Sequence, residues 1–125
     1  MAKYTDDAVL NAALAKVATC TRQSLCSGQP ANFAGIAAVS LGSYTLTAGD
    51  GNGDYVIANG DVSGRKLTVG AQSGNNATAS GSATHVALDD GTTLLHVTTC
   101  ATVSTNSGQP FTVAAYDIEF LDVTP

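Results

Sequence analysis

The chain has 125 residues, the length of a single domain with a modest core. Only 12% of them are charged, and ten acids against five bases leave a formal net charge of −5. Such a surface cannot neutralise a phosphate backbone, so no nucleic-acid partner is expected. No apolar run reaches the ~20 residues of a membrane span, so no membrane partner is expected either. The 44% apolar share argues against global disorder.

The N-terminus, Met1-Ala2-Lys3-Tyr4-Thr5-Asp6-Asp7, places two aspartates where a signal peptide needs an apolar centre. Synthesis in a cytoplasm, without export by a leader, is the expectation. Thr5 or Asp6 suits a helix N-cap, and Asp6 and Asp7 suit the positive end of the helix dipole. Val9, Leu10, Ala13, Leu14 and Val17 recur at helical spacing. The spacing predicts a helix over about 6–18, within an arm of residues 1–20 ahead of a β domain of residues 21–125. An apolar stripe of this kind must be covered. It caps one end of the β domain or serves as an attachment face for a sister subunit or a larger shell.

Beyond residue 20 the helical period is lost, and Gly, Asn, Ser and Pro clusters recur about every ten residues. Strands are expected at about 21–26, 43–47, 54–58, 64–71, 76–80, 82–88, 93–98 and 110–120. The small-residued segment 31–40 reads as an extended crossing or a lid. The fold class is mainly β: an antiparallel β-sandwich, jelly-roll-like in its strand count, with one N-terminal helix. Asp90-Gly91 predicts a two-residue hairpin turn that pairs Leu88 with Thr93, Val86 with Leu95 and His85 with His96. Val86, Leu88, Leu95, Val97, Tyr116, Ile118 and Phe120 are the expected core, with Asp117 and Glu119 on the opposite strand face.

Four features carry candidate chemistry. Asp50-Gly51-Asn52-Gly53-Asp54 with Asp61 sets oxygen side chains at positions one, three, five and twelve of a calcium-type loop. Tyr55 occupies the sharp-turn position that calls for Gly, and Asp61 is shorter than the usual Glu. A Gly-rich turn entering a strand explains the same residues. His85 and His96, if paired, begin a transition-metal site, though surface histidines explain them as well. Asp89-Asp90 reads as a solvated turn. Cys20, Cys26 and Cys100 are an odd set. Free thiols suit a cytoplasmic origin. A Cys20–Cys26 disulfide, with Cys100 left to cross-link a neighbour, is the alternative. No resident cofactor is expected, with calcium at the loop as the alternative, and no constellation for catalysis stands out, so the chain reads as a non-enzyme.

A series of segments carries a resemblance. They are Tyr4-Thr5-Asp6 with Leu10 and Ala13-Leu14, Cys26-Ser27 with Pro30 and Phe33-Ala34, and Leu41-Gly42. Gly64-Arg65-Lys66-Leu67-Thr68-Val69, Gly81-Ser82-Ala83-Thr84-His85-Val86-Ala87-Leu88, Phe111-Thr112 and Tyr116-Asp117-Ile118 follow. In this order, over most of the chain, they resemble small structural proteins of tailed bacteriophages and prophages. The match is poorest over Gly49–Asn59. The resemblance implies a virion location, no catalytic residues, and partners that are other virion proteins such as the major capsid protein. The leading expectation is a capsid decoration or cement subunit that associates with itself, as a trimer matched to capsid symmetry. A neck, head-fibre or tail accessory protein is the second reading, and a calcium-dependent surface-binding module the third.

Overall fold

The computed structural model describes residues 5–121. In chain order it has α1 (Asp7–Val17), β1 (Arg22–Cys26), a 3₁₀ turn (Phe33–Gly35) running into the one-turn helix α2 (Ile36–Val39), and β2 (Ser40–Thr45). β3 (Tyr55–Asn59), β4 (Arg65–Val69), β5 (Gly81–Asp89), β6 (Leu94–Thr105) and β7 (Tyr116–Phe120) follow. Every ladder is antiparallel. The strands form one sheet of order β2-β1-β5-β6 and another of order β3-β4-β7. The fold is mainly β, in two antiparallel sheets with an N-terminal helix, the class predicted from the strand spacing. The described chain divides into two compact units, one of residues 5–19, 48–71 and 115–121, the other of residues 20–47 and 72–114.

In the first unit, α1 begins where Asp6 accepts the Ala8 N–H at 2.8 Å. Lys16 lies in its last turn, favourably placed for the helix dipole. The helix packs on β3 and β4, burying Leu14 and Val17, and Asn11 accepts a 2.8 Å bond from Arg65 Nε. Tyr55, Leu67, Val69 and Ile118 are buried in the sheet. Register puts them on one face, because Tyr55 opposes Val69, which opposes Tyr116, and Ile57 opposes Leu67, which opposes Ile118. Asp117 and Glu119 take the other face, as the alternation of β7 predicts. Tyr116 and Phe120 are half-buried. The expected boundary at residue 20 differs from this grouping, since the helix shares a unit with β3, β4 and β7.

In the second unit β1 and β5 are central, and most of their residues are buried on both faces: Gln23, Ser24, Leu25 and Cys26 on β1, Val86, Ala87, Leu88 and Asp89 on β5. One covering layer is segment 31–39, where an extended crossing or a lid was expected. Asn32 caps its 3₁₀ turn by accepting the Gly35 N–H at 2.8 Å. Ile36 is buried, and α2 packs on β1. On the other face, Tyr44 and Phe111 meet with ring centroids 4.8 Å apart. The Tyr44 hydroxyl donates to the Phe111 carbonyl and accepts the Asn75 N–H at 3.2 Å. Gly42 is required here, because a Cβ would lie 2.7 Å from the Phe111 ring. The strand expected at 76–80 is a loop, held to β2 by Thr78 N–H donating to Leu41 C=O at 2.9 Å. The strand expected from 110 starts only at Tyr116, with isolated bridges at Pro110 and Val113 before it.

The β5–β6 hairpin departs from its predicted register. Asp89 opposes Leu94, so the connection is the four residues Asp90–Thr93. The Asp90 side chain organises that loop by accepting the N–H groups of Thr92 and Thr93 at 3.0 and 2.8 Å, and Gly91 adopts φ +95°. A bulge then sets His96 against Leu88, and Thr99 against His85. Leu95 and Val97 are half-buried as a result, while Val86 and Leu88 are fully buried.

Candidate functional site

The calcium-type loop is built around its own hydrogen bonds. Asp50 Oδ1 accepts the Ile57 N–H at 2.9 Å. Asn52 Oδ1 accepts the Asp54 N–H at 3.0 Å, while its amide donates to the Ala48 and Gly49 carbonyls at 2.9 and 2.6 Å. The Gly51 N–H donates to the Tyr55 carbonyl at 2.8 Å. Asp50 and Gly51 therefore occupy main-chain groups on β3. The arrangement seals a sheet edge with a tight turn. Asp61 pairs with Lys66 Nζ at 2.7 Å, so its carboxylate is engaged apart from Asp50 and Asn52. Among the described residues, no three His, Cys, Asp or Glu side chains converge in a way that could hold a metal.

Lys66 is the centre of the main polar cluster of the first unit. Besides Asp61 it reaches Asp117 at 3.4 Å, and Asp117 accepts the Thr68 hydroxyl at 2.7 Å. The hydrogen bond to Asp61 holds the lysine pKa above its ordinary value, against desolvation that lowers it, with Asp117 adding to the rise. Glu119 accepts the N–H groups of Asp61 and Val62 and so fixes the β3–β4 turn. The Asp and Glu side chains of this face hold turns and strands in place.

Of the expected attachment stripe on α1, Leu14 and Val17 are buried, Leu10 is half-buried, and Val9 and Ala13 are exposed. The inner half of the stripe is used within the unit, against β3 and β4.

The three cysteines are free, Cys20 and Cys26 buried and Cys100 half-buried. Strand β1 is extended over Arg22–Cys26, most of the segment between the first two. At ~3.3 Å per residue its four steps alone span about 13 Å, well beyond the ~4.4–6.8 Å of a disulfide. Cys20 and Cys26 are two separate buried thiols, and the alternative Cys20–Cys26 disulfide does not form. Burial pushes the Cys26 thiol up to about 11, with Arg22 opposing and Cys100 adding to the rise. Burial raises Cys100 as well. His85 and His96 do not face each other. Their partners, Thr99 and Leu88, put them on opposite faces of the sheet, because alternate strand residues point opposite ways. His85 Nδ1 bonds the Thr84 hydroxyl at 2.8 Å, and burial lowers the His96 pKa from 6.5.

The second unit holds an ion pair that sequence reasoning missed. Asp89, expected in a solvated turn, has a fully buried side chain. Its Oδ2 accepts from Arg22 Nε at 2.8 Å, and its Oδ1 from the Gly91 N–H at 3.0 Å. The guanidinium also lies over Phe33, 5.5 Å from the ring centroid. Beside it is a cavity of about 320 Å³ between segment 33–37 and the strands, with Ser24, Ser40 and Ser43 along its wall. The available signal was compositional: Arg22 is a lone base at the head of an otherwise uncharged strand, and such a charge needs a partner.

Scans of this chain against protein-family models, curated proteins and solved structures gave no match.

Proposed function

We propose that this chain is a non-enzymatic bacteriophage virion protein, a decoration or cement subunit that packs against the major capsid protein and copies of itself. The ordered set of motifs from Tyr4 to Ile118 carries the reading, because it spans most of the chain. Two features support it. The surface is charge-poor, at 12% charged residues, so neighbours can approach without burying many unpaired ions. The acidic groups that cluster are engaged in structure: Asp89 with Arg22, Asp61 and Asp117 with Lys66, Asp50 with the β3 edge. A subunit of this kind adds binding free energy to the shell with every copy bound. Antibody labelling of particles from the phage or prophage that encodes the chain, imaged by electron microscopy, tests it. Label over the head surface is expected. Label confined to neck, fibres or tail moves the protein to that accessory position, and unlabelled particles defeat the proposal.

A further inference from the structure

The two sheets present four edges, and three are guarded. At β2, the Leu41 carbonyl accepts the Thr78 and Ala79 N–H groups, and the Ser43 carbonyl accepts from the Asn75 side chain. At β3, Asp50 and Gly51 occupy the Ile57 N–H and Tyr55 carbonyl. At β7, Asp117 and Glu119 supply charge. The fourth edge is β6, twelve residues from Leu94 to Thr105 without a single Asp, Glu, Lys, Arg or Pro. Among the described residues, no loop hydrogen-bonds to its outer side between Leu94 and Ser104. Uncharged, Pro-free edges with free main-chain groups are templates for another strand.

We propose that β6 pairs antiparallel with β6 of a second copy, about a two-fold axis at Thr98 within the straight run His96–Thr99. Charge argues for a second copy as the occupant. Two chains of net charge −5 repel, and residues 91–116 form a stretch of this sequence with no charged side chain. An antiparallel pair is two-fold symmetric, so one edge is complementary to itself. Register shifts near Leu95 and at 100–102 bend the strand and limit the pairing to this short run. The footprint is then well below the ~800 Å² per partner of a stable dimer, so the pairing is weak and shows at high protein concentration. This contact goes beyond the virion reading, and its two-fold symmetry differs from that of the expected trimer.

Hydrogen exchange of the full chain at two concentrations, with sedimentation velocity alongside, tests the pairing. The expected result is a concentration-dependent dimer, with amides in Leu95–Thr99 exchanging at least about tenfold more slowly in the dimer. Thr99 is exposed. Thr99→Lys and Thr99→Glu should each weaken association at least about tenfold, and an equimolar mixture should restore it, since a two-fold axis at Thr98 sets the two residues 99 diagonally across one face of the pair, within reach of long side chains. A chain that stays monomeric to about 1 mM overturns the proposal. So does a dimer or trimer whose β6 amides exchange independently of concentration. Neither result touches the virion reading, which particle labelling decides separately.

Discussion

Replacing Arg22 with methionine keeps most of the aliphatic stem and removes the cation beside Asp89. The carboxylate stays fully buried, with the Gly91 N–H as its remaining bond to the turn. Breaking a fully buried pair from one side costs about 3–5 kcal/mol. Here the Arg22 side chain is 41% exposed, so solvent already screens the pair, and about 2 kcal/mol is the appropriate figure. Unfolding entropy of ~2.1 cal/mol/K per residue gives about 0.26 kcal/mol/K for this length, and a Tm drop of about 8 °C. Circular dichroism during thermal and urea unfolding measures it. The pairing argument makes a second demand: Asp89→Asn in the Arg22→Met background should recover part of the loss, because a neutral amide needs no counter-ion. A loss under about 0.5 kcal/mol, or no recovery in the double variant, would show that Asp89 is not held by Arg22.

Tyr44→Phe removes the hydroxyl that joins Phe111 to Asn75 and should cost about 1–3 kcal/mol in urea unfolding, with the secondary-structure spectrum unchanged. Gly42→Ala drives a methyl into the Phe111 ring, for a loss of about 1–3 kcal/mol and a changed Phe111 ring environment in the NMR spectrum. Burial lowers the His96 pKa from 6.5, so the unfolded chain binds the proton more readily. Stability is therefore fully present above pH ~6.5 and falls as acidification passes below it, and His96→Gln should flatten that slope in Tm measured against pH. Half-buried Cys100 should alkylate first at pH 8 when followed by mass spectrometry, with Cys20 and Cys26 reacting only on unfolding.

Local patterns in this sequence were legible and long-range pairings were not. The helix read at 6–18 from its N-cap and apolar spacing is α1 at Asp7–Val17, and the alternation of Tyr116, Ile118 and Phe120 against Asp117 and Glu119 is that of β7. The β5–β6 register went astray because Asp90 side-chain bonds stabilise a four-residue loop where Asp90-Gly91 suggests two. That shift, with the bulge after it, separates the two histidines. Segment 31–40 has small apolar residues that fit an extended chain as well as a helical turn. What decides is the Asn32 cap, which any turn could use, together with the packing on β1, which lies outside the segment. Asp89 looked like a turn residue because its partner lies 67 positions away. The Asp50–Asp61 pattern names oxygens that suit a cation, yet the same oxygens can close a turn, and only geometry tells the two uses apart.

The central claim, that this chain is a virion subunit of the head, is tested most directly by counting it. Quantitative mass spectrometry of purified particles, with the major capsid protein as internal standard, gives the copy number. The account predicts on the order of hundreds of copies per particle, as a decoration subunit repeated over a symmetric shell requires. Particles free of the protein would contradict it.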